Sequence, residues 1–363
     1  MKLSYSKILS ILALAILSTL FYKSHYFDRA KIHVKSWISS KPILRVGVVR
    51  FEDTRPDGFW NEDNAYSFWG MLSDKYTVEK VDSKNQNDYD ILITGYLPET
   101  EYIKNSNPNL IKIHYTYETY TGKPAEHLKD HDLVMGFDSI DAPNYIRLPF
   151  YYLFFKDKIR HDYERKEQKC APQKKKHFAC FLASNGAYDI VHTLDSHGNL
   201  HSLTGHDFNG AHLRNRLFHL LSLYKPVMSG GRWLNNTRGP IPRGTELEWL
   251  SQCKFTIAYE NDISYPGYIT EKPFQAWFAG TVPLYNSHPD SLVDINKNAV
   301  IYAGDFKTEE ELVEYIKKVD NDDELYCKIW NERLLTDPEK DYSVVRAKVT
   351  KKLDEILAKK FGK

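Results

Sequence analysis

The sequence predicts an α/β protein in which two domains with parallel sheets face a central cleft. Short apolar runs rich in β-branched residues alternate with helical patterns from residue 43 onwards, as expected for parallel sheets covered by helices. This alternation is interrupted once, by a highly charged segment at residues 156–177, and then resumes. The chain has 363 residues, which is enough for two domains of ordinary size.

The first 40 residues differ from the rest. Lys2 and Lys7 precede an uncharged apolar run from Ile8 to Tyr22. The run is short for a membrane-spanning helix, which needs about 20 residues, and it also fits the apolar part of a signal peptide. Because no clean small-x-small cleavage site follows, we predict an uncleaved signal anchor and a polar stem over residues 1–40. Basic residues on both sides leave the orientation undecided.

Residues 41–165 are predicted as the N-terminal, acceptor-side domain. The run "ILRVGVVRF" reads as a buried strand, and the segment around Trp60 and Trp69 has helical apolar spacing. Further strands are predicted in "YTVEKVD", "YDILITGYL" and "LIKIHYTYE", the last ending at Glu118. The runs "HDLVMGFDSI" and "YIRLPFYYLFF" follow. The aromatic residues Trp60, Trp69, Tyr117 and Tyr120 are candidates for sugar contacts.

Residues 166–335 are predicted as the second domain. Strands are expected in "FACFLASN", "KFTIAYEN" and "TVPLYN", and helices in "RNRLFHLLSLY", "ELEWLSQC", "EKPFQAWFAG" and "TEEELVEYIKKVDND". The stretch "KPVMSGGRWLNNTRG" reads as a turn-rich loop. Residues 336–363 form a basic amphipathic helix that could lie on a membrane, although packing back across the domains is favoured.

Composition narrows the function classes. A net charge of +1 gives no support for a nucleic-acid partner. Aromatic residues make up 14% of the chain, which fits sugar stacking and core packing equally well. The four cysteines have no CxxC spacing, so neither a zinc site nor a redox pair is indicated. They are most simply free or buried; export would permit one or two disulfides, whose pairing the sequence leaves open.

The stretch "YENDISYPGYITEKPF" joins a predicted strand to a predicted helix. Carboxyl ends of parallel strands line the ligand crevice, and a helix N-terminus favours phosphate. Lys272 adds a charge there, with Thr270 as the expected N-cap. Arg214, predicted to start an earlier helix, could complete a diphosphate site. An ordinary ion pair of Lys272 with a neighbouring glutamate is the more common arrangement for a lysine taken alone.

Three further motifs carry less weight. Asp88-Tyr89-Asp90 imitates a metal-binding Asp-x-Asp, but it precedes a strand of the first domain and reads as a solvated turn. The segment 186–212 contains five histidines whose spacing matches no standard metal site, so a mobile surface loop is predicted. Because this loop leads directly into Arg214, its closure over the ligand is a hypothesis. Asn235 begins a glycosylation sequon whose occupancy is doubtful.

Five blocks carry a family resemblance. In chain order they are "MGFDSIDAPNYIRLPFYY", "FACFLASN", "LRNRLFHLL", "YKPVMSGGRWLNNT" and "KFTIAYENDISYPGYITEKPFQAWFAGTVPLYNS". Over about residues 43–335 the chain resembles the α1,3/α1,4-fucosyltransferases of glycosyltransferase family 10. The resemblance implies the GT-B fold, with two Rossmann-like domains, and a GDP-fucose-binding role for the second one.

The resemblance also implies roles for individual residues. Glu118 matches the family's proposed general base. Arg214 and Lys272 match positions that bind the donor diphosphate, and Glu271 matches the position that binds the ribose hydroxyls. Asn261 and Tyr268 match further positions of the donor pocket. The sequence departs from the usual pattern at Tyr259, Asp262 and Pro273. Glu260 has no assigned partner.

The expected reaction is inverting transfer of L-fucose from GDP-β-L-fucose to a glycan hydroxyl, most readily O3 of GlcNAc in a Gal-GlcNAc-type acceptor. Direct displacement needs one base and positive charge on the leaving diphosphate, which Arg, Lys and a helix end can supply. No metal is therefore required, although a divalent ion could stimulate. The alternatives are a transferase for another nucleotide sugar and an inactive sugar-binding protein.

The expected partners are GDP-fucose, a glycan of a glycoprotein, glycolipid or lipopolysaccharide, and the membrane that holds the anchor. The expected location is the Golgi lumen in a eukaryote or the cell membrane in a bacterium.

Overall fold

The computed structural model describes residues 41–49, 68–81, 88–95, 107, 109–119, 124–154, 169–184, 186, 191–194, 200–203, 209–335 and 342–362. Within these ranges no helix combines the length and apolarity needed to cross a bilayer. The predicted anchor and stem, and the candidate sugar contacts Trp60 and Tyr120, lie outside the described residues.

The N-terminal lobe contains a six-stranded parallel sheet in the order β2-β1-β3-β4-β5-β6. Its strands are β1 Ile43–Val49, β2 Thr77–Val81, β3 Ile91–Gly95, β4 Ile111–Tyr115, β5 Leu133–Gly136 and β6 Tyr145–Arg147. Its helices are α1 Phe68–Ser73, α2 Pro124–His127 and α3 Phe150–Phe154. Every residue of β3 and β5 is buried, as their continuous apolar sequences predict.

The C-terminal lobe contains a five-stranded parallel sheet in the order β10-β7-β11-β12-β13. These strands are β7 His177–Phe181, β10 Val227–Ser229, β11 Cys253–Ile257, β12 Val282–Tyr285 and β13 Ile301–Tyr302. Helices α4 Asn209–Ser222, α5 Glu246–Leu250, α6 Lys272–Phe278, α7 Glu309–Asp320 and α8 Asp323–Trp330 complete the lobe. Both sheets reverse strand order beside their first strand, which is the position where doubly wound sheets bind ligands.

The last helix, α9 Tyr342–Phe361, returns to the N-terminal lobe. Val349 and Leu353 are buried in the same apolar core as the strands of that lobe. Ion pairs Lys75–Asp354 at 2.5 Å and Arg346–Asp74 at 2.7 Å attach its outer face. The prediction that this helix packs on the domains is confirmed, because its apolar face is already covered by protein.

Side chains from both lobes meet beneath the cleft. The ring of Tyr151 on α3 stacks on Phe274 of α6, with 4.1 Å between ring centroids. The Arg147 guanidinium lies 2.6 Å from the carboxylate of Asp294, which is fully buried in the C-terminal lobe. Removing one partner of such a buried ion pair leaves an uncompensated charge, so this contact holds the two lobes in a defined relation.

Both disulfides lie in or beside the C-terminal lobe. Cys180 of β7 is bonded to Cys253 of the neighbouring strand β11, and Cys170 is bonded to Cys327 of α8. The interpretation of free cysteines is therefore wrong, although Cys180 and Cys253 are buried as that interpretation allowed, and the alternative of two disulfides is the one observed. Strand pairing brings Cys253 beside Cys180, 73 positions away in the chain. Cys327 lies on α8, and its disulfide joins this helix to Cys170, 157 positions away.

Four local predictions also need correction. Residues 227–229, predicted within a loop, form β10, which extends the sheet beside β7. Within the predicted surface loop 186–212, residues 191–194 and 200–203 pair as an antiparallel hairpin of β8 and β9. Helix α4 begins at Asn209, so Arg214 lies inside a helix rather than at its start. Trp69 is 7% exposed and belongs to the core, which removes it as a sugar contact.

Candidate active site

The segment between β11 and α6, residues 258–271, forms a loop against the N-terminal lobe. Gly267 has a φ of +77°, and a Cβ there would lie 2.6 Å from the backbone oxygen of Phe137. A Cβ at Gly210 on α4 would lie 2.1 Å from the backbone oxygen of Glu260. A side chain is excluded at both contacts, so glycine permits the loop to pack between the lobe opposite and the start of α4. We call residues 258–271 the donor loop.

Glu260 is the buried centre of the donor loop. Its side chain is fully buried, and its carboxylate accepts hydrogen bonds from the Thr270 amide at 2.9 Å and the Thr270 hydroxyl at 2.6 Å. The Lys272 ammonium lies 3.6 Å from the same carboxylate. Burial raises the pKa of Glu260, whereas Lys272 and Thr270 oppose that rise. The sequence left this residue without a partner; in the structure it ties the two ends of the loop together.

Lys272 lies at the first position of α6, with its side chain largely buried. Its ammonium donates to the Thr270 hydroxyl oxygen at 3.0 Å. The prediction that Thr270 is the N-cap is wrong, because Glu271 occupies that position, without a side-chain capping bond. The Thr270 hydroxyl instead donates to Glu260 and accepts from the Lys272 ammonium. The ion pair of Lys272 with a glutamate, which the sequence offered as the ordinary alternative, is present and fixes the ammonium at the cleft.

Replacing Glu260 by glutamine should loosen the donor loop. A neutral amide accepts at one oxygen only, so one of the two Thr270 bonds is lost and Lys272 loses its counter-charge. We expect the free energy of unfolding to fall by about 1–3 kcal/mol in urea titrations, the range for a buried hydrogen bond to a charged group. Glu248→Gln, at an exposed position of α5, is the matched control. Equal stability of the two variants would contradict this role.

Arg214 and Asn261 join α4 to the donor loop. Arg214 is buried, with 5% of its surface exposed. Its Nη1 donates to the Asn261 side-chain oxygen at 2.6 Å. A guanidinium carries five N–H donors in a planar fork, so the bond to Asn261 does not exhaust it. The structure therefore places an arginine and a lysine at the two ends of one loop, which is a suitable arrangement for a diphosphate.

Glu118 approaches the donor loop from the N-terminal lobe. Strand β4 ends at Tyr115, so Glu118 follows the strand rather than ending it as predicted. It is half-buried, and its Oε2 accepts a hydrogen bond from the Tyr268 hydroxyl at 2.8 Å. Burial raises the pKa of Glu118 to about 7, against the opposing effects of Lys272 and Tyr268. A carboxyl group with this pKa is suited to accept a proton near neutral pH.

Tyr268 is fully buried at the contact between the lobes. The edge of its ring meets Phe137 of the N-terminal lobe at 5.3 Å between centroids, and its hydroxyl holds Glu118. The family resemblance assigned this tyrosine to the donor pocket. The structure shows in addition a hydrogen bond from its hydroxyl to Glu118, the predicted base. Its hydroxyl stabilises the ionised carboxylate, which is the form a general base requires.

Tyr268→Phe should shift the pH dependence of transfer. Loss of the hydroxyl removes a hydrogen bond that lowers the pKa of Glu118, so that pKa rises further. We expect the acidic limb of the profile of kcat/KM to move upward by about one pH unit, the equivalent of a hydrogen bond of about 1.4 kcal/mol. Tyr265→Phe is a close control, since Tyr265 also packs on Phe137 but its hydroxyl has no hydrogen-bond partner among the described residues. Identical profiles for both variants would refute this function of Tyr268.

Glu271 and the Asp88-Tyr89-Asp90 motif complete the list of sequence candidates. Glu271 lies half-buried at the N-cap of α6, and its carboxylate makes no hydrogen bond within the described part of the chain. In the motif, Asp90 accepts from the backbone amide of Arg45 at 2.8 Å and from its guanidinium at 3.1 Å. Asp90 therefore has a structural partner in the N-terminal lobe, whereas the Glu271 carboxylate has no hydrogen-bond partner among the described residues.

Asn235, the sequon residue, is also engaged. Its side-chain amide donates to the backbone oxygen of Gly231 at 2.6 Å, and its side-chain oxygen accepts from the Thr237 amide at 3.2 Å. A residue whose amide holds its own loop in this way is poorly presented for glycosylation.

Comparisons with known proteins relate this chain to fucosyltransferases. Residues 199–355 match the family model described as "Glycosyltransferase family 10 (fucosyltransferase) C-term". The chain is 27% identical over 312 residues to the alpha-(1,3)-fucosyltransferase FucT of Helicobacter pylori, covering 80% of this chain and 60% of that protein. It is 32% identical over 143 residues to mouse 4-galactosyl-N-acetylglucosaminide 3-alpha-L-fucosyltransferase 9, covering 38% of this chain and 36% of that one. The chain thus spans less than two thirds of the length of these relatives.

The fold has a solved counterpart. A crystal structure of an alpha1,3-fucosyltransferase with GDP-fucose superposes with a TM-score of 0.63 at 24% sequence identity, covering 88% of this chain and 91% of that one. At that identity the similarity establishes the fold. The predicted GT-B arrangement of two parallel α/β lobes is therefore confirmed.

Proposed function

We propose, from the premise that this chain carries the C-terminal domain of glycosyltransferase family 10, that it is an inverting fucosyltransferase using GDP-fucose. The observation that carries the proposal is the contact between Glu118 of the N-terminal lobe and Tyr268 of the donor loop, at 2.8 Å, with Lys272 close enough to lower the pKa of Glu118. Under this proposal, the base and the phosphate-binding cation would face each other across one cleft.

The donor side of the proposal rests on charge and hydrogen-bond donors. Arg214 and Lys272 flank the donor loop, and α6 begins at its end. Both cations would bind the diphosphate of GDP, while Glu271 would accept hydrogen bonds from ribose hydroxyls. The solved relative of similar fold was crystallised with GDP-fucose, which supports the choice of nucleotide sugar.

The proposed reaction is a direct displacement. Ionised Glu118 takes the proton of the acceptor hydroxyl, whose oxygen bonds to the anomeric carbon as the bond from that carbon to the diphosphate oxygen breaks. GDP leaves with the electron pair, and the charge that grows on it is stabilised by Arg214 and Lys272. Attack from the face opposite the leaving group converts a β-linked donor into an α-linked product. No step requires a metal, although a divalent ion could stimulate.

The proposed acceptor is a Gal-GlcNAc-type glycan, with O3 of GlcNAc as the reacting hydroxyl. The printed name of the mouse relative specifies a 4-galactosyl-N-acetylglucosaminide and a 3-alpha linkage. Tyr117, next to Glu118, is half-buried and stacks on Phe150 with 4.9 Å between centroids. An aromatic ring beside the base is a suitable surface for the face of an acceptor sugar. Such a glycan would belong to a glycoprotein, glycolipid or lipopolysaccharide.

We also propose that the chain acts outside the cytosol, attached to a membrane by residues 1–40. The two disulfides favour an oxidising compartment, where such bonds persist. The Golgi lumen fits this proposal in a eukaryote, and the cell envelope fits it in a bacterium.

A donor and acceptor panel tests the proposal. The full chain would be incubated with GDP-fucose, other GDP-sugars and UDP-sugars, each with N-acetyllactosamine or its type-1 isomer. We expect product from GDP-fucose alone among the donors. Transfer from a UDP-sugar without transfer from GDP-fucose would favour the alternative of another nucleotide sugar. Binding of GDP-fucose without any turnover would favour an inactive sugar-binding protein.

A further inference from the structure

Three histidines are packed together under the segment that carries Glu118. His114 lies on β4, His127 ends α2, and His131 follows the turn after α2. Their exposed fractions are 1%, 6% and 6%, and one potential ligand nitrogen of each ring lies within 4.8 Å of the others. The proposed transfer reaction assigns no function to this cluster, which we call the histidine triad.

The hydrogen bonds of the triad determine which nitrogens carry protons. The backbone oxygen of His127 can only accept, so the His131 Nδ1, 2.9 Å away, is the N–H donor. Neutral His131 therefore has a lone pair on Nε2, which accepts from the Thr94 hydroxyl at 3.1 Å. With its proton used there, the Thr94 oxygen accepts from His114 Nδ1 at 3.0 Å. His114 Nε2 is left with a lone pair.

Two ring nitrogens of the triad have no hydrogen-bond partner among the residues that the structure describes. They are Nε2 of His114 and Nε2 of His127, both buried. Burying such groups without a partner is costly, because they lose their bonds to water. Burial also lowers the pKa of all three rings, that of His131 to about 4, so the imidazoles are neutral at pH 7. Neutral imidazole is the form that binds metal.

The same bonds have the pattern found around metal-binding histidines. A ligating imidazole usually donates its second N–H to a carbonyl, carboxylate or other acceptor, which orients the ring. His131 donates Nδ1–H to a backbone carbonyl, and His114 donates Nδ1–H to Thr94. In each ring the opposite nitrogen, Nε2, carries the lone pair. If a metal replaced the Thr94 proton at His131, the hydroxyl could donate to the backbone oxygen of Ile113, 3.4 Å away.

We propose that the histidine triad is a binding site for a divalent transition-metal ion of the zinc class, with Nε2 of His114, His127 and His131 as ligands. Zinc binds imidazole nitrogen at about 2.0–2.1 Å in the plane of the ring. The ligand nitrogens lie within 4.8 Å of one another, and the rings of His114 and His127 are stacked with 3.7 Å between centroids, so binding requires these rings to turn as well as to approach. The exposed carboxylates of Glu126 and Asp130 create a negative potential at His127 that favours a cation. A water molecule would complete four-coordination.

The position of the site gives it a structural consequence. His114 precedes Glu118 in the chain and His127 follows it, so one ion would hold both ends of the segment that carries the proposed base. The ion would act in the N-terminal lobe, apart from the diphosphate. This inference stands independently of the proposed reaction, because it rests on the triad alone.

Metal binding by the full chain, purified without a polyhistidine tag, tests the proposal. Zn²⁺ would be titrated against a chromophoric chelator at pH 7.5, and Co²⁺ would report tetrahedral nitrogen ligation by its visible absorption. We expect one equivalent of Zn²⁺ to bind wild type, and His127→Gln to weaken binding by roughly 100-fold or more. Thr94→Val removes the hydroxyl that accepts from His114 Nδ1 and donates to His131 Nε2. Because His114 then loses the acceptor that orients its ring, this variant should weaken binding by about 10- to 100-fold.

Control variants separate the triad from the other histidines. His219→Gln alters an exposed residue of α4, and His192→Gln and His201→Gln alter the β8–β9 hairpin. All three should retain wild-type affinity for Zn²⁺. Circular dichroism in the presence of a chelator would verify that each variant is folded. Three results would overturn the proposal. Wild type would fail to bind Zn²⁺ stoichiometrically, the folded His127→Gln and Thr94→Val variants would both bind it as wild type does, or a hairpin variant would lose binding.

Discussion

Glu118→Gln should reduce the rate of fucose transfer by about 10²- to 10⁴-fold, the usual contribution of a general base. The amide cannot accept the proton of the acceptor hydroxyl, although it preserves the shape of the side chain and a hydrogen bond from Tyr268. Because Glu118 lies on the N-terminal lobe and the diphosphate is assigned to the other lobe, binding of GDP should remain within a few-fold of wild type. Initial rates and calorimetry would measure the two effects separately.

The same substitution should stabilise the protein at alkaline pH. Burial raises the pKa of Glu118 from its ordinary value of 4.5 to about 7, so the native state disfavours the ionised form. The contribution of this group to stability is therefore lost as pH rises from 4.5 through 7, and glutamine avoids that loss. At pH 8 we expect a gain of about 1–3 kcal/mol in the free energy of unfolding.

Asp141→Asn, at an exposed position of the same lobe, controls for removal of a negative charge. It should leave both transfer and stability unchanged. A Glu118→Gln variant with transfer near the wild-type rate would remove Glu118 from the mechanism, and a variant without a stability gain at pH 8 would show that its carboxyl group is not strained by burial.

Lys272→Met should weaken the binding of GDP-fucose by roughly 30- to 150-fold. The ammonium is held beside Thr270 and Glu260, where it would meet the diphosphate, and a charge-assisted bond to such a group is worth about 2–3 kcal/mol. Methionine keeps the length and apolar stem of lysine while removing its charge. Calorimetric titration with GDP would measure the loss.

Removal of Lys272 has a second consequence that a lost phosphate contact alone would not produce. Lys272 lowers the pKa of Glu118, so its removal should raise that pKa and move the acidic limb of the rate profile to higher pH. Lys307→Met, at an exposed position before α7, should leave affinity and profile unchanged. Weaker GDP binding with an unshifted profile would show that Lys272 does not act on the base.

The resemblance to glycosyltransferase family 10 that the sequence indicates is confirmed by the family match over residues 199–355. Buried strands such as β3 and β11 are visible in the sequence because a strand covered on both faces reads as an apolar run. The short strand β10 is not, since it has three residues and lies among glycines and asparagines. The disulfide pairing could not be predicted either, because the bond of Cys180 with Cys253 depends on the order of strands in the sheet, and that of Cys170 with Cys327 depends on where α8 packs.

The cleft shows a similar division. Lys272 and Arg214 could be proposed from residue type and position near predicted helices, and the family resemblance added Glu118. The bond between Glu118 and Tyr268 joins residues 150 positions apart, which no local pattern reveals. The sequence also does not distinguish Glu260 from Glu271, although Glu260 is fully buried and hydrogen-bonded to Thr270, whereas Glu271 is only half-buried. Burial separates these two acids, and burial is a property of the folded loop.

The histidine triad also could not be predicted from the sequence, because its members are distant in the chain. The sequence drew attention to five histidines between residues 186 and 212, where they are close together in the chain. The cluster with converging ring nitrogens is formed instead by His114, His127 and His131, which β4 and α2 bring together. Spacing along the chain indicates a metal site only where all ligands belong to one local element.

The stereochemistry of the product tests the central claim most directly. Wild type and Glu118→Gln would each be given GDP-β-L-fucose and N-acetyllactosamine, and proton NMR would identify the new linkage. Base-assisted displacement across the cleft predicts α-linked fucose from wild type and almost no product from the variant in the same time. A β-linked product, or α-linked product formed equally fast by the variant, would contradict the assignment of Glu118 as the base of an inverting transfer.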